Sequence, residues 1–594
     1  MHNLKKRLPV LIFASLVLTL FNIIAQDSTE TVIFRAMKDE MDRSMNKLVF
    51  KDYPAPFYIS YTIEDIKTLY ASANLGALSN SSEQHFRNWS NRVLAGDYQL
   101  NDENFVDATR RKPPRDGDLE LPLDNDYYGI RRALWMVTNN TYKSASENYK
   151  SKLAALKDKN LGKQDLQIPD FCRVPVVSLS VSDREVDWNK KNIEKIVKET
   201  SLVFNAFPEI IYSEVSIFQI HANAYFYSSE NCKIKSPIDL TYFTANAYTQ
   251  SLDGETIADQ LRYCALAPAS LPNIDSIKND INLLAKNILL KSNAPVLNEN
   301  YSGPVLFLGQ SVADILSQGL FNAADNLCAY REPLYNSSQM SMYYGQNINS
   351  LESKLDKLVI SKNISLKDIS NIKTYQGTEL IGNFSSDAEG VVPNDTLVLV
   401  ENGILKSLYN GRTPTRNIKN SNGHRRYKLR GGSLTSDLGP GVLFISTKDG
   451  KPLNKLKEDL INLAKEESLD YSIIIRPIKV GNCAMPYNVY KVNTSDGKEE
   501  LLRMAVINPV TINSLKKIAG ISSNTMLLNT LINTGFNSEE GATNSIFNNE
   551  ESIPNGMPVS FIFPDGIILK EVEFEHQSKP LSSDRPVVKS PLLR

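Results

Sequence analysis

From Glu209 to Ser251 the chain passes through three stretches dense in aromatic and β-branched residues: Ile210–Ile220, Ala222–Tyr227 and Leu240–Thr249. Such stretches read as consecutive strands. Asp253-Gly254 closes the run with turn chemistry. This run excludes an all-helical fold, and the other elements are best read around it.

Upstream, Asp27–Leu48 has Met37, Met41, Met45 and Leu48 on one helical face, with Ser28 or Thr29 as cap. Strands are expected at Phe57–Ile63, Thr68–Leu78 and Arg92–Leu100. A polar, proline-broken linker follows at 110–117. Helices are expected from Asp124 to about Leu156, from Trp188 to Phe204 with Asp187 as cap, and from Ile274 to Leu290. Val305–Leu308 reads as a short buried strand feeding a helix from Ser311 to Cys328. Beyond it, Leu397–Val400 with the turn Glu401-Asn402-Gly403, Val442–Ile445 and Val489–Val492 are strand signals. Leu453–Ala464 and Val510–Ile518 are expected helices among them. The class is α+β, with an α/β N-terminal half followed by a β-rich C-terminal domain. No repeat of fixed period is present.

Hydrophobic residues make up 42% and charged residues 22%, so the chain has core-forming material and is not mainly disordered. A formal charge of -1 leaves no global field for nucleic acid or an anionic membrane. Residues 1–25 carry Lys5, Lys6 and Arg7 and then an apolar run to Ala25, the pattern of a Sec-type signal peptide. An uncleaved N-terminal anchor is the alternative. Cleavage removes three basic residues, taking the net charge from -1 to -4. The expected location is periplasmic or extracellular, with no membrane contact after cleavage. Export permits disulfides, but Cys172, Cys232, Cys264, Cys328 and Cys483 have no regular spacing, so buried small hydrophobes are expected.

Phosphate-loop, dinucleotide, hydrolase-elbow and H-E-x-x-H motifs are all missing. His85, His221, His424 and His576 are far apart. One constellation has chemical potential. Asp387-Ala388-Glu389-Gly390 places two carboxylates at alternate positions, which face the same side if the stretch is extended. His424 follows in Asn422-Gly423-His424-Arg425-Arg426. Two carboxylates and an imidazole can do acid/base work or hold a metal. The competing reading is an Asp-capped turn and an exposed loop histidine.

Several stretches, taken in order, resemble the TldD/PmbA family, once called modulators of DNA gyrase. They are Arg92–Phe105, Tyr301–Phe307 with Val312–Leu316, Leu380–Gly390, Val400–Lys406, Ser421–His424 and Pro558–Pro564. The D-x-E-G and E-N-G-x-L-K patterns fall within them. The resemblance implies a fold shared with zinc metallopeptidases that carry H-E-x-x-x-H on a helix and a further C-terminal cysteine ligand. On this chain those helix positions are Ser317, Gln318 and Asn322, none a good zinc ligand or base. Cys483 lies too early to be the cysteine ligand.

The resemblance therefore implies a member lacking the zinc motif, with no cofactor expected. Such members pair with a motif-bearing homologue around a cavity that takes unfolded peptides; a homodimer is the other arrangement. Four segments are expected: 1–25 signal peptide, 26–165 N-terminal domain, 166–295 central segment and 296–594 C-terminal domain. Two further readings stay open: an active exported metallopeptidase using Asp387, Glu389 and His424, and a structural or surface-binding protein reusing the fold.

Overall fold

A computed structural model of the chain describes residues 28–49, 53–107, 120–163, 166–185, 187–321, 326–335, 350–503, 506–534, 552–575 and 590–592. The apolar segment 1–25, the linker 110–117, Asn322 and His576 lie outside them. No helix among the described residues is long and apolar enough to cross a membrane.

Helix α1 (Thr29–Lys47) starts where the Ser28 hydroxyl accepts the Thr31 N–H. Strand β1 (Pro56–Asn74) then takes in the first expected strand and the second as far as Asn74, while Leu78 already lies in the next strand. Its central charges are satisfied across the pair rather than breaking it. Asp65 accepts from Arg87 at 2.8 Å and meets His85 at 2.6 Å, both on β2 (Ala77–Ala95). The turn falls at Leu75-Gly76, both with positive φ. The third expected strand, Arg92–Leu100, is only the end of β2, because Asp97 folds the chain into a turn through the N–H groups of Gln99 and Leu100. The short β3 (Phe105–Val106) follows, and helix α2 (Tyr127–Asp158) is capped by Asp126.

After β4 (Ser178–Ser180), helix α3 (Lys190–Ser201) is capped by Asn189 rather than Asp187; the Asn189 side chain accepts the Asn192 N–H at 3.1 Å. The aromatic run forms two long strands, not three: β5 (Tyr212–Ser228) and β6 (Lys233–Gln250). Strand β7 (Thr256–Ala265) and helix α4 (Ile274–Ser292) complete the N-terminal half. Its sheet runs β2-β1-β5-β6, with β7 and β4 sharing the far edge of β6; all pairings are antiparallel except β4 with β6. Because β1 and β5 pair over most of their length, segments 26–165 and 166–295 build one sheet.

Alternation decides the two faces of that sheet. Ile59, Tyr61 and Ile63 pack under α1 and α2, and Leu69, Ala71 and Ala73 pack under α3 and α4. The opposite face of β1 carries Ser60, Thr62, Glu64 and Ile66 toward the C-terminal half.

That half holds β8 (Tyr301–Leu308), helix α5 (Gln310–Leu320), β9 (Leu334–Tyr335), β10 (Ile364–Asp368), β11 (Thr374–Tyr375), β12 (Thr378–Glu379), β13 (Leu397–Glu401) and β14 (Ile404–Leu405). It continues through β15 (Arg425–Arg430), β16 (Ser433–Leu438), β17 (Val442–Thr447), α6 (Leu453–Glu466), β18 (Tyr471–Pro477), β19 (Tyr487–Asn493), β20 (Glu499–Leu502) and β21 (Val506–Ile507). It ends with α7 (Ile512–Lys516), β22 (Ile518–Ile521), β23 (Thr525–Ile532), β24 (Met557–Pro564) and β25 (Gly566–Glu575). One sheet runs β14-β13-β10-β17-β24-β23; the other runs β20-β19-β18-β8-β25, with β21 and β22 both on β25. Asn402-Gly403, both at positive φ, makes the tight hairpin between β13 and β14.

Helix α5 is packed into the core shared by these two sheets through Val312, Ile315, Leu316 and Leu320. It ends at Leu320, well short of Cys328, which instead bridges to Tyr409. Likewise α7 covers only Ile512–Lys516, since Ile518 is already paired in β22. The five cysteines are buried and unpaired. The class is α+β, as the sequence implies.

Candidate functional site

The D-x-E-G stretch is not extended. Asp387 closes a turn on itself: its Oδ1 accepts the N–H groups of Glu389 and Val391 at 2.9 and 2.8 Å. Its Oδ2 accepts the Arg425 N–H at 3.2 Å. Gly390 sits at φ +79°, a conformation glycine adopts without strain. The two carboxylates consequently have separate work. Glu389 Oε1 receives Arg92 Nη1 at 2.7 Å, and Oε2 receives the Arg412 N–H at 2.6 Å. Burial, together with the charge of Glu389, raises the Asp387 carboxyl above its ordinary range. Burial works the same way on Glu389, but Arg92, Arg425 and Arg412 outweigh it and hold that carboxyl below its ordinary range.

His424 does not join them. It is fully buried, not exposed in a loop. Its Nδ1–H donates to the Asn422 carbonyl at 2.8 Å, leaving Nε2 3.4 Å from the Ser370 hydroxyl and 3.8 Å from Asp368. Asp368 also accepts from the Tyr409 hydroxyl at 3.0 Å and the Gly441 N–H at 2.7 Å. Burial would raise the Asp368 carboxyl, but His424, the Ser370 hydroxyl and the Gly441 N–H hold it low. This cluster is a sealed polar core. No substrate reaches His424, and the expected Asp387–Glu389–His424 constellation is not assembled.

What the turn does build is a cleft between the N-terminal sheet and the C-terminal half. Its volume is about 540 Å³, and a neighbouring cavity of about 500 Å³ shares its walls at Thr62, Ser90, Ala388 and Ser436. Alternation puts Ser60 and Thr62 of β1 on the floor. Arg92 of β2 is gripped between Glu103 and Glu389. The loop carrying Glu103 is held from behind: Lys152 of α2 donates to the carbonyls of Asn101 and Glu103 and to Asp170, at 3.0, 2.5 and 2.5 Å. Asp170 also takes Arg331 at 2.8 Å. Burial first, and the charge of Glu103 second, push the Asp102 carboxyl up to about 7.

Arg412 locks the two halves beneath the cleft. Its side chain is fully buried, donates to the Cys172 carbonyl and to Glu230, and stacks on Phe171 with 4.0 Å to the ring centroid. Sequence reasoning missed Arg412, Glu103, Asp170 and Lys152. Arg92 and Phe105 did bracket a motif stretch, which was the available signal. Nothing local marks Arg412, whose partners lie far away in the chain.

Residues 302–530 match the PmbA/TldA metallopeptidase C-terminal domain. No curated protein matches the chain. Among solved structures, the fold resembles a protein described as a modulator of a DNA gyrase from Thermotoga maritima, at a TM-score of 0.53 and 13% identity over 91% of this chain and 100% of the other. It also resembles TldE from Thermococcus kodakarensis, at a TM-score of 0.51 and 12% identity over 91% and 100%. A protein from Bacteroides thetaiotaomicron, likewise described as a modulator of DNA gyrase, gives 0.53 and 11% over 92% and 99%.

The metallopeptidase description raises the question of a metal. On α5, Ser317 is buried in the core, and the Gln318 amide donates to Asp314 at 3.2 Å. A hydroxyl and an amide are poor zinc donors, and neither is a base at neutral pH. Among the described residues, no three His, Cys, Asp or Glu side chains converge as a metal site. The described residues of α5 do not fit zinc.

Proposed function

Because the chain belongs to the TldD/PmbA family through its C-terminal domain, we propose that it is an exported, non-catalytic, metallopeptidase-related subunit. It helps hold peptide substrates beside a homologue that carries H-E-x-x-x-H. The observation that supports this reading is Ser317 and Gln318 on α5: the helix is kept and packed into the core, yet the residues at the zinc positions cannot hold the metal. A lost site on a retained scaffold fits a structural or substrate-holding role. The cleft at Arg92 and Glu389 is the surface on which this chain would meet a substrate. Export is supported by the basic and then apolar segment 1–25.

The test is purification of the tagged chain from the exported fraction of its own cells, with zinc analysis of every component. The expected result is a co-purifying homologue bearing H-E-x-x-x-H, with zinc on that homologue and none on this chain in isolation. Stoichiometric zinc on the isolated chain would overturn the non-catalytic reading.

A further inference from the structure

The D-x-E-G turn has a second consequence, at Arg425. The Ala388 N–H donates to the Arg425 carbonyl at 2.7 Å, while the Arg425 N–H donates to Asp387. Main-chain bonds in both directions therefore fix the first residue of β15. They place its half-buried side chain on the cleft wall.

The guanidinium differs from its neighbours. Arg92 is consumed by Glu103 and Glu389, and Arg412 by Glu230 and the Cys172 carbonyl. Among the described residues, Arg425 has no hydrogen bond or ion pair to its guanidinium. The carboxylate that feels its charge, Glu389, is already engaged on both oxygens. Across the cleft, Asn91 Nδ2 is a buried donor with no partner among the described residues. The hydroxyls of Ser60, Thr62 and Ser436 line the same space. On the acceptor side, Glu103 faces Arg92, and Asp102 Oδ1 takes the Ala95 N–H at 2.8 Å. Two unspent donors, the Arg425 guanidinium and the Asn91 amide, thus face the cleft, and one of them is positive. A guanidinium matches a carboxylate by two parallel bonds. A volume of about 540 Å³ admits several residues of a peptide as well as a single group.

We infer that Arg425 and Asn91 bind a carboxylate in this cleft, that of a bound peptide, either C-terminal or side-chain. The inference rests on the peptide-holding role proposed above and gives it a specificity. A buried neutral donor and a free guanidinium would favour acidic peptide ends over amidated ones.

The full-length protein is titrated with three fluorescein-labelled peptides of one neutral sequence: free C-terminus, C-terminal amide, and amide with one added Glu. Fluorescence anisotropy is expected to give at least ~10-fold tighter binding for one or both carboxylate forms, the size of a charge-assisted hydrogen bond. Which form gains tells the end group from the side chain. Arg425→Ala is expected to bring that form to the level of the plain amide and leave the amide unchanged. Asn91→Asp, which replaces the donor with a like charge, is expected to weaken the same form. Equal binding of acid and amide, or an Arg425→Ala loss shared by both, would overturn the inference. An acetate titration followed by thermal denaturation separates the two readings. If no peptide binds but acetate stabilises the protein only when Arg425 is present, the peptide role falls and the carboxylate site stands. If acetate acts the same with Arg425→Ala, the site falls.

Discussion

Arg92 and Glu389 meet at 2.7 Å although 297 residues separate them. One lies at the end of a strand in the N-terminal sheet, the other in a turn of the C-terminal half. Their contact is where the cleft acquires its electrostatic character. Arg92 is shared with Glu103, and Glu389 also takes the Arg412 N–H.

Glu389→Gln removes the charge but keeps an acceptor of similar shape. The pair is partly solvated, so the expected cost is about 1–3 kcal/mol rather than the full penalty of a sealed pair. Urea denaturation of wild type, Glu389→Gln, Arg92→Met and the double variant measures it. The cycle should show a coupling of about 0.5–3 kcal/mol. Strict additivity would mean that the contact carries no stability.

Arg412→Met should do more. The substitution keeps much of the side-chain bulk but takes the guanidinium away from the Cys172 carbonyl and from Glu230, which keeps only the Tyr98 hydroxyl. A loss of about 3–5 kcal/mol is expected from breaking a buried pair on one side. Because Arg412 joins the two halves, differential scanning calorimetry should show the variant's unfolding broadened or split relative to wild type. An unchanged thermogram would contradict this role.

Glu64 lies on the cleft-side face of β1, and burial pushes its carboxyl up to about 7. The proton is therefore favoured by the folded state. At about pH 4 and below, both states hold it and stability is unaffected. As pH rises, the unfolded chain ionises first, so this group's contribution to stability falls until about pH 7 and is then constant. A raise of this size is worth about 3 kcal/mol at most. Glu64→Gln should be about 2–3 kcal/mol more stable than wild type at pH 8 and nearly equal at pH 4. Chemical denaturation midpoints across that range check it, and a difference independent of pH would exclude the mechanism.

Gly390→Ala and Gly377→Ala form a matched pair. Both positions have φ near +80°, so both should lose about 1 kcal/mol to backbone strain. A Cβ at Gly390 would come within 2.5 Å of the Phe226 ring, whereas at Gly377 nothing lies within 4 Å. The Gly390 variant should lose a further ~1–3 kcal/mol to overpacking. It should also displace Glu389, read as weaker coupling in the cycle with Arg92. Equal losses at the two glycines would show that Phe226 yields.

Much of the fold was legible because it is local. The Ser28 cap, the Asn402-Gly403 turn and the periodic faces of α1, α2 and α4 depend on residues a few positions apart. The errors have a common origin. The first expected strand and the second as far as Asn74 fused into β1 because Asp65 found Arg87 and His85 on a partner strand, a remedy no local window contains. Helix α5 was expected to reach Cys328, but Cys328 is held beside Tyr409 instead. At Asp387 and Glu389 the sequence left two readings open, an extended pair and an Asp-capped turn with an exposed histidine; the turn forms, but His424 is buried. Backbone donors from Glu389, Val391 and Arg425 close the turn.

By itself, the sequence determined the α+β class, most element positions, the family resemblance and the absence of histidine from the stretch Val312–Leu320. Each depends on residue type and short-range spacing. Only the tertiary structure decided that His424 is sealed in the core with Asp368, that Arg92 and Arg412 tie the halves together, and that the Arg425 guanidinium faces the cleft without a partner among the described residues. Charge becomes chemistry through distance and burial, and both are set by contacts between residues hundreds of positions apart.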